Sequence, residues 1–317
     1  MASRISPAKR WWVMAGLRVV IVLLVVGGIA RVVRDCRAEF QANPFSWNEL
    51  SWGWIVVAAM LYFASLIPMG WFWFQLLRAL GQPVGFYAVL RAYVIGHLGK
   101  YVPGKALVLV LRAGLLKSSG AEPRLTVVSI VLETFNMMAV GAVLAAGFLT
   151  FQLADHWWLQ ALMLGIAILL LAPLLPPVSS RLIGWVIRNK MVEPGAVTVE
   201  SLPFRVVAGG WGAIAVGWLL MAASMMATIR GVVTVDAPVW STGLMARCIS
   251  STTLSVVGGF LSLLPGGVGV REWIMDQFLV VPLGHVSAVV TVIFVRVIWL
   301  ATEVLAAVGF YLVRAKV

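Results

Sequence analysis

Two lysines flank a Pro-Gly pair in the stretch HLGKYVPGK, residues 97–105. They are Lys100 and Lys105, and Arg112 follows shortly after them. Proline removes a backbone donor and glycine permits a positive φ, so a helix should break between the two lysines. Lysine and arginine bind phosphate, and the start of the next helix offers free N–H groups to the same anion. The pattern predicts a phosphate site, with a plain basic loop between two interfacial helices as the alternative.

A second break of the same kind lies about half the chain further on, in LLPGGVGVRE, residues 263–272. Its Pro-Gly pair is again followed by charged residues, here Arg271 and Glu272. Apolar segments that Gly and Pro interrupt at corresponding positions of two halves are typical of transporter sites built from discontinuous helices. We therefore expect a pseudo-repeat of two halves, 1–155 and 156–317.

Three ionisable residues fall inside apolar segments, where a charge is costly and usually faces a cavity or a partner. Glu133 lies in one segment, and Arg296 and Glu303 lie in the last one. Arg296 and Glu303 are about two helical turns apart, so they share a face but are too distant for a direct pair. We expect Arg296 to pair with Glu133 in the cavity. A structural ion pair that only fixes helix packing is the alternative.

The elements that must position these side chains are membrane helices. Of the 317 residues, 62% are hydrophobic and 11% are charged, against about 25% charged in a typical soluble domain. A soluble enzyme, a disordered chain and a secreted disulfide scaffold are thereby excluded. The two cysteines and three histidines have no ligand-like spacing, so no metal or disulfide framework is predicted, and no cofactor is implied. The predicted fold class is all-α, a polytopic membrane protein with a single domain, 1–317.

A helix needs about 20 mostly apolar residues to cross a membrane. The candidate spans are 12–30, 53–75, 125–150, 157–177, 206–229, 243–264 and 284–312. The segments 86–117 and 265–281 are apolar but broken. We expect the first to enter the membrane and return on the same side, whereas the second either re-enters or crosses. The prediction is seven or eight spanning helices plus one or two re-entrant broken segments.

Basic residues predict the orientation, since cytoplasmic loops carry an excess of Lys and Arg. The net charge of +12 is therefore interpreted mostly as a topology signal, and no nucleic-acid partner is predicted. The N-terminus and the basic regions 78–124 and 178–205 are expected in the cytoplasm, and the loop 151–156, without Lys or Arg, outside. Three arginines within 31–37 disagree with this topology. The side of the C-terminus stays open, because it depends on whether 265–281 crosses.

The two broken segments also carry a family resemblance. Residues 91–112, RAYVIGHLGKYVPGKALVLVLR, and 261–273, LSLLPGGVGVREW, resemble the two hallmark motifs of the lysylphosphatidylglycerol synthase transmembrane-region family. The resemblance implies lipid handling in a membrane domain, because fused relatives link this domain to translocation of an aminoacylated lipid. One departure is visible, since Glu133 is followed by threonine where relatives often have Glu-Arg. The chain ends at Val317 soon after its last span, so we expect no soluble aminoacyl-transferase domain and no synthase activity.

The leading hypothesis is a flippase that moves a phosphate-bearing lipid, either a phospholipid or a polyprenyl-phosphate lipid, between the leaflets of the inner or plasma membrane. The residues assigned to the substrate site are Lys100, Tyr101, Pro103, Gly104, Lys105, Arg112, Pro265, Gly266, Gly267, Gly269, Arg271 and Glu272, with intramembrane charge from Glu133, Arg296 and Glu303. The expected partner is an anionic membrane lipid, with a second copy of the chain or a soluble lipid-modifying enzyme as further candidates.

Two alternatives stay open. A membrane-embedded transferase would need a general base or nucleophile in the cavity, and the candidates are Glu133, Glu272 and His97. No metal or nucleotide motif accompanies them, so no enzyme activity is predicted. A non-catalytic accessory subunit would recruit a soluble enzyme through the basic region 178–205.

Overall fold

A computed structural model describes residues 50–101, 106–152, 203–233, 241–262 and 264–313, together with residues 157, 158, 161 and 165. The predicted span 12–30, most of 157–177 and nearly all of the basic region 178–205 lie outside the described residues. The same holds for Pro103, Gly104 and Lys105 of the first Pro-Gly break.

The described part of the chain is all-helical. In chain order its helices are α1 (Trp52–Ala79), α2 (Phe86–His97), α3 (Ala106–Lys117), α4 (Pro123–Gln152), α5 (Phe204–Val232), α6 (Thr242–Leu261), α7 (Val270–Leu283) and α8 (His285–Leu312). Two short 3₁₀ turns, Leu98–Tyr101 and Pro265–Gly267, precede α3 and α7. The turns mark the two breaks that the Pro-Gly pairs predict.

Five of these helices are long and apolar enough to cross a membrane: α1, α4 up to Leu149, α5, α6 and α8. The shortest, α6, has 20 residues and would extend over about 30 Å, the thickness of the hydrocarbon core. They coincide with the predicted spans 53–75, 125–150, 206–229, 243–264 and 284–312. The larger number of spans and the two-half repeat stay predictions.

The segment 86–117 forms two short helices that fold back on each other. α2 and α3 have 12 residues each, about 18 Å, which is too short to cross the hydrocarbon core. The first 3₁₀ turn lies close to α3: a Cβ at Gly99 would lie 2.6 Å from the backbone nitrogen of Val108. This geometry agrees with a segment that enters and returns on one side.

The second broken segment depends on glycine. Gly266, Gly267 and Gly269 have φ values of 60°, 67° and 84°, a region that side-chain-bearing residues rarely adopt. The chain therefore reverses between α6 and α7 within a few residues. α7 has 14 residues, about 21 Å, and packs against α6 and α8.

The core of the bundle lies between α1 and α5, which approach closely at glycines. A Cβ at Gly210 would lie 2.1 Å from the ring of Phe72, and one at Gly217 would lie 2.8 Å from Met69. Small residues let membrane helices pack at short range, where van der Waals contact replaces the hydrophobic effect. Ser224 Oγ adds a 2.8 Å hydrogen bond to the carbonyl oxygen of Ala58. This pair of helices forms one wall behind the site.

Candidate functional site

The two broken segments meet at one cavity. Tyr101, at the end of the first 3₁₀ turn, packs on Gly266 of the second, where a Cβ would lie 2.8 Å from the Tyr101 ring. Beside this contact is a cavity of about 420 Å³, within the usual range for small-molecule sites. Its polar lining includes His97, Lys100, Arg112, Glu133 and Arg271. The structure thus gathers residues from both motifs around one space.

Arg112 and Glu133 form a buried ion pair in the wall of the cavity. Arg112 Nη1 lies 3.0 Å from Glu133 Oε2, and the side chains are only 4% and 3% exposed. The guanidinium lies over the rings of Tyr93, at 4.1 Å, and Trp73, at 5.0 Å. A Cβ at Gly96 would come within 2.4 Å of Arg112 Cγ, so α2 needs a glycine where the arginine stem passes. Arg112 is therefore held by protein groups on several sides.

A second buried pair connects the first break to the last helix. Lys100 Nζ lies 2.6 Å from Glu303 Oε1, and the Tyr62 hydroxyl donates to the same oxygen. His97 Nε2 lies 3.7 Å from the same oxygen. Glu303 Oε2 is buried without a hydrogen-bond partner among the described residues.

A third pair stabilises the second break. Arg296 Nε lies 2.5 Å from Glu272 Oε1, and Arg296 Nη2 donates to the carbonyl oxygen of Gly266 at 3.1 Å. Glu272 also accepts from the backbone nitrogen of Gly269 at 2.5 Å, which caps α7. The predicted pairing of Arg296 with Glu133 is therefore wrong. The reason is local: the tight glycine turn brings Glu272 next to α8, while the α2–α3 hairpin brings Arg112 next to Glu133.

Arg271 differs from the other buried cations at the site. It is 8% exposed and lines the cavity. Among the described residues no carboxylate lies within 4 Å of its guanidinium, whereas Arg112 has Glu133. The Nε atoms of both arginines are buried without a hydrogen-bond partner. The side chain of Arg271 passes between two glycines. A Cβ built on Gly259 would lie 2.8 Å from Arg271 Nε, and one built on Gly267 would lie 3.0 Å from the same atom. Burying an unpaired charge is costly, so this arginine is a candidate for binding an anion.

The rest of the lining is apolar. Leu66 and Met69 of α1 and Trp218 and Met221 of α5 belong to it. Val131 and Phe135 of α4 also line the cavity and are 41% and 59% exposed. The cavity therefore combines charged and apolar lining groups. Among the described residues no group of three His, Cys, Asp or Glu side chains is arranged to hold a metal ion.

Sequence patterns did not reveal several residues that shape the site. Tyr62 and Trp73 lie in a span without charged residues, where an aromatic side chain is equally typical of packing. The Gly258-Gly259 pair in α6 was the available signal for a close approach, because glycine in a membrane helix often marks a tight contact. Which residue approaches Gly259 becomes visible only when α7 is in place.

These observations define a class: an all-helical integral membrane protein with two broken segments facing a partly charged internal cavity. A comparison with family models matches residues 13–309 to the lysylphosphatidylglycerol synthase TM region. The chain belongs to this family, whose model covers nearly its whole length. No curated relative matches it.

Proposed function

We propose that the protein moves an anionic, phosphate-bearing lipid between the two leaflets of the membrane. The observation that carries the proposal is Arg271, a buried arginine on the cavity lining without a carboxylate partner among the described residues. A phosphate oxygen would supply the missing partner, and a guanidinium forms two parallel hydrogen bonds to such a group. Membership of a family of lipid-handling membrane domains supports the same substrate class.

The charges around the cavity favour an anion over a cation. Lys100, Arg112 and Arg296 each have a carboxylate partner within 4 Å, so three cations are balanced by three carboxylates. Among the described residues that line or adjoin the cavity, Arg271 is the cation without such a partner. A lipid phosphate in the cavity would neutralise it, whereas a cationic ligand would add to the excess. In this proposal Lys100 and Arg112 hold the walls of the site rather than being the first contacts of the phosphate.

The cavity lining also favours a lipid over a free phosphate. Apolar side chains such as Leu66 and Met69 line the same cavity as Arg271, and a soluble anion would gain nothing from them. A lipid has a polar head for the charged groups and hydrocarbon for the apolar ones. The proposed location is the plasma or inner membrane, with the N-terminus in the cytoplasm, and reporter fusions at the N-terminus test that orientation.

The decisive experiment uses the purified protein in liposomes that contain fluorescent phosphatidylglycerol, with dithionite bleaching as the measure of leaflet exchange. We expect faster exchange than in empty vesicles. Arg271→Met should slow it by about tenfold or more, because one charge-assisted hydrogen bond is worth about 1.5–3 kcal/mol. Arg230→Met, at an exposed arginine near the end of α5, is the matched control and should leave the rate unchanged. Wild-type exchange no faster than in empty vesicles would refute the proposal.

The proposal involves no chemical change of the lipid. Mass spectrometry of lipid recovered from the same vesicles separates transport from the alternative of a membrane-embedded transferase. A new lipid species whose formation depends on His97 or Glu133 would favour the transferase. An effect in cells that depends only on 178–205 would favour the accessory-subunit hypothesis.

A further inference from the structure

Two cavity-lining residues lie at the outer surface of the bundle. Val131 and Phe135 of α4 both line the cavity, yet they are 41% and 59% exposed. The other lining residues of the described chain are buried or only partly exposed. A residue that faces both the cavity and the outside must stand at an opening between them. Val131 and Phe135, hereafter the lateral mouth, mark that opening.

The depth of the lateral mouth determines what lies outside it. The spanning part of α4 runs over 27 residues, Pro123–Leu149, about 40 Å of helix. Phe135 is one residue from its midpoint, and Val131 lies about 6 Å further towards Pro123. At the centre of a spanning helix the surroundings are hydrocarbon rather than water. In the part of the chain that the structure describes, the lateral mouth therefore opens sideways at the depth of the bilayer interior.

Charged groups of the cavity lie close to the lateral mouth. Glu133 is between Val131 and Phe135 on α4 and pairs with Arg112 at 3.0 Å. Arg271 lines the same cavity as the lateral mouth. A head group at the arginine and hydrocarbon at the lateral mouth would thus occupy one continuous space.

The size of the cavity indicates that a lipid cannot be enclosed completely. A volume of about 420 Å³ suits a ligand of drug size. One acyl chain alone reaches through about 15 Å, half of the hydrocarbon core, and a membrane phospholipid has two. The chains of a lipid whose phosphate reached Arg271 would have to leave the cavity. The lateral mouth, lined by a valine and a phenylalanine, is an apolar exit at the right depth.

We infer that the acyl chains of the bound lipid pass through the lateral mouth and stay in the bilayer while the head group is held at Arg271. This inference rests on the proposed function for its occupant, an anionic lipid. It assigns Val131 and Phe135 the role of chain contacts, and it implies that chain length affects exchange little.

Lipid contact at the lateral mouth can be measured without any transport. A bimane fluorophore is attached to Phe135→Cys, with Cys36→Ser and Cys248→Ala removing the native thiols. The vesicles contain neutral lipid and an increasing fraction of phosphatidylglycerol brominated in mid-chain. We expect quenching that saturates at a low fraction of the anionic lipid and becomes weak and linear when Arg271→Met is added.

The control site is Val297→Cys on α8, at a valine that is 58% exposed and does not line the cavity. Its quenching should be linear in the fraction of brominated lipid. Linear quenching at Phe135→Cys that Arg271→Met does not change would overturn the inference, because the label would then report bulk lipid. Quenching by aqueous iodide instead would show a water-filled opening and overturn it as well.

Transport supplies the second test. Val131→Trp narrows the lateral mouth and should slow exchange of fluorescent phosphatidylglycerol about tenfold, whereas Val297→Trp should leave it near the wild-type rate. If the wild type exchanges lipid and Val131→Trp does so at the same rate, the inference is overturned and the proposed function stands. Saturable quenching without any exchange would refute the proposed function and leave the lipid contact at the lateral mouth standing.

Discussion

The pair formed by Arg112 and Glu133 allows a test of whether a buried arginine at this site serves the fold or the ligand. Both residues are almost completely buried, and their side chains are 3.0 Å apart. Arg112→Met keeps an unbranched apolar stem but leaves the carboxylate unpaired, which costs about 3–5 kcal/mol for a buried pair. The lost contacts with the faces of Tyr93 and Trp73 add about 0.5–1 kcal/mol each. We expect a loss of about 4–7 kcal/mol, a large part of the total stability of about 5–15 kcal/mol that domains have.

The assay is equilibrium unfolding in mixed micelles with increasing SDS, followed by tryptophan fluorescence. The double variant Arg112→Met with Glu133→Gln should recover most of the loss, because it removes the buried carboxylate charge that the single substitution leaves unpaired. Arg271→Met is the matched control: the same substitution at an equally buried arginine that has no carboxylate partner among the described residues. It should be neutral or stabilising. A loss below about 1 kcal/mol for Arg112→Met would refute the reasoning.

Two further substitutions test the groups around the cavity. Gly259→Ala places a methyl group 2.7 Å from Arg271 Cγ, so it should displace the guanidinium and slow lipid exchange as strongly as Arg271→Met. The control is Gly212→Ala, because nothing lies within 4 Å of a Cβ at that position. Equal exchange rates for the two alanine variants would contradict a fixed position of the Arg271 side chain. Tyr62→Phe removes a buried donor to Glu303 and should lower the free energy of unfolding by about 1.5–3 kcal/mol, since hydrogen bonds to charged groups are the stronger ones. Unchanged SDS unfolding would show that the Tyr62 hydroxyl contributes little beside the contact of Lys100 with the same oxygen.

The spanning helices were predictable because their signal is local. Gly53 to Leu77 and Val206 to Ile229 contain no charged residue, and both lie within helices of the structure, α1 and α5. The two breaks were predictable for the same reason, since a Pro-Gly pair affects the backbone where it stands. That Arg296 and Glu303 would pair with other segments rather than with each other also followed from helical spacing, and the structure confirms it.

The pairing of charges was not predictable, because it depends on which segments become neighbours. Sequence spacing places Glu133 and Arg296 each within a span but does not say which helix faces them. The α2–α3 hairpin brings Arg112 to Glu133, and the turn before α7 brings Glu272 to Arg296. Both turns depend on glycines, at Gly99 and at Gly266, whose importance is visible only from the atoms that approach them. Contacts between residues that are distant in the chain produce no periodic pattern in a single sequence, so they cannot be predicted from it.

The second break also explains why Arg271, unlike its charged neighbours, has no carboxylate partner among the described residues. A backbone interrupted inside a membrane needs partners for its freed polar groups. Arg296 donates to the carbonyl oxygen of Gly266, and Glu272 accepts from the backbone nitrogen of Gly269. These two side chains are therefore required by the broken turn and by each other. Consecutive helical residues point about 100° apart, so Arg271 projects away from that arrangement, past Gly259 and Gly267, to the cavity. The two charged residues of the motif Val-Arg-Glu thus have different roles: the glutamate stabilises the break, and the arginine presents its positive charge to the cavity.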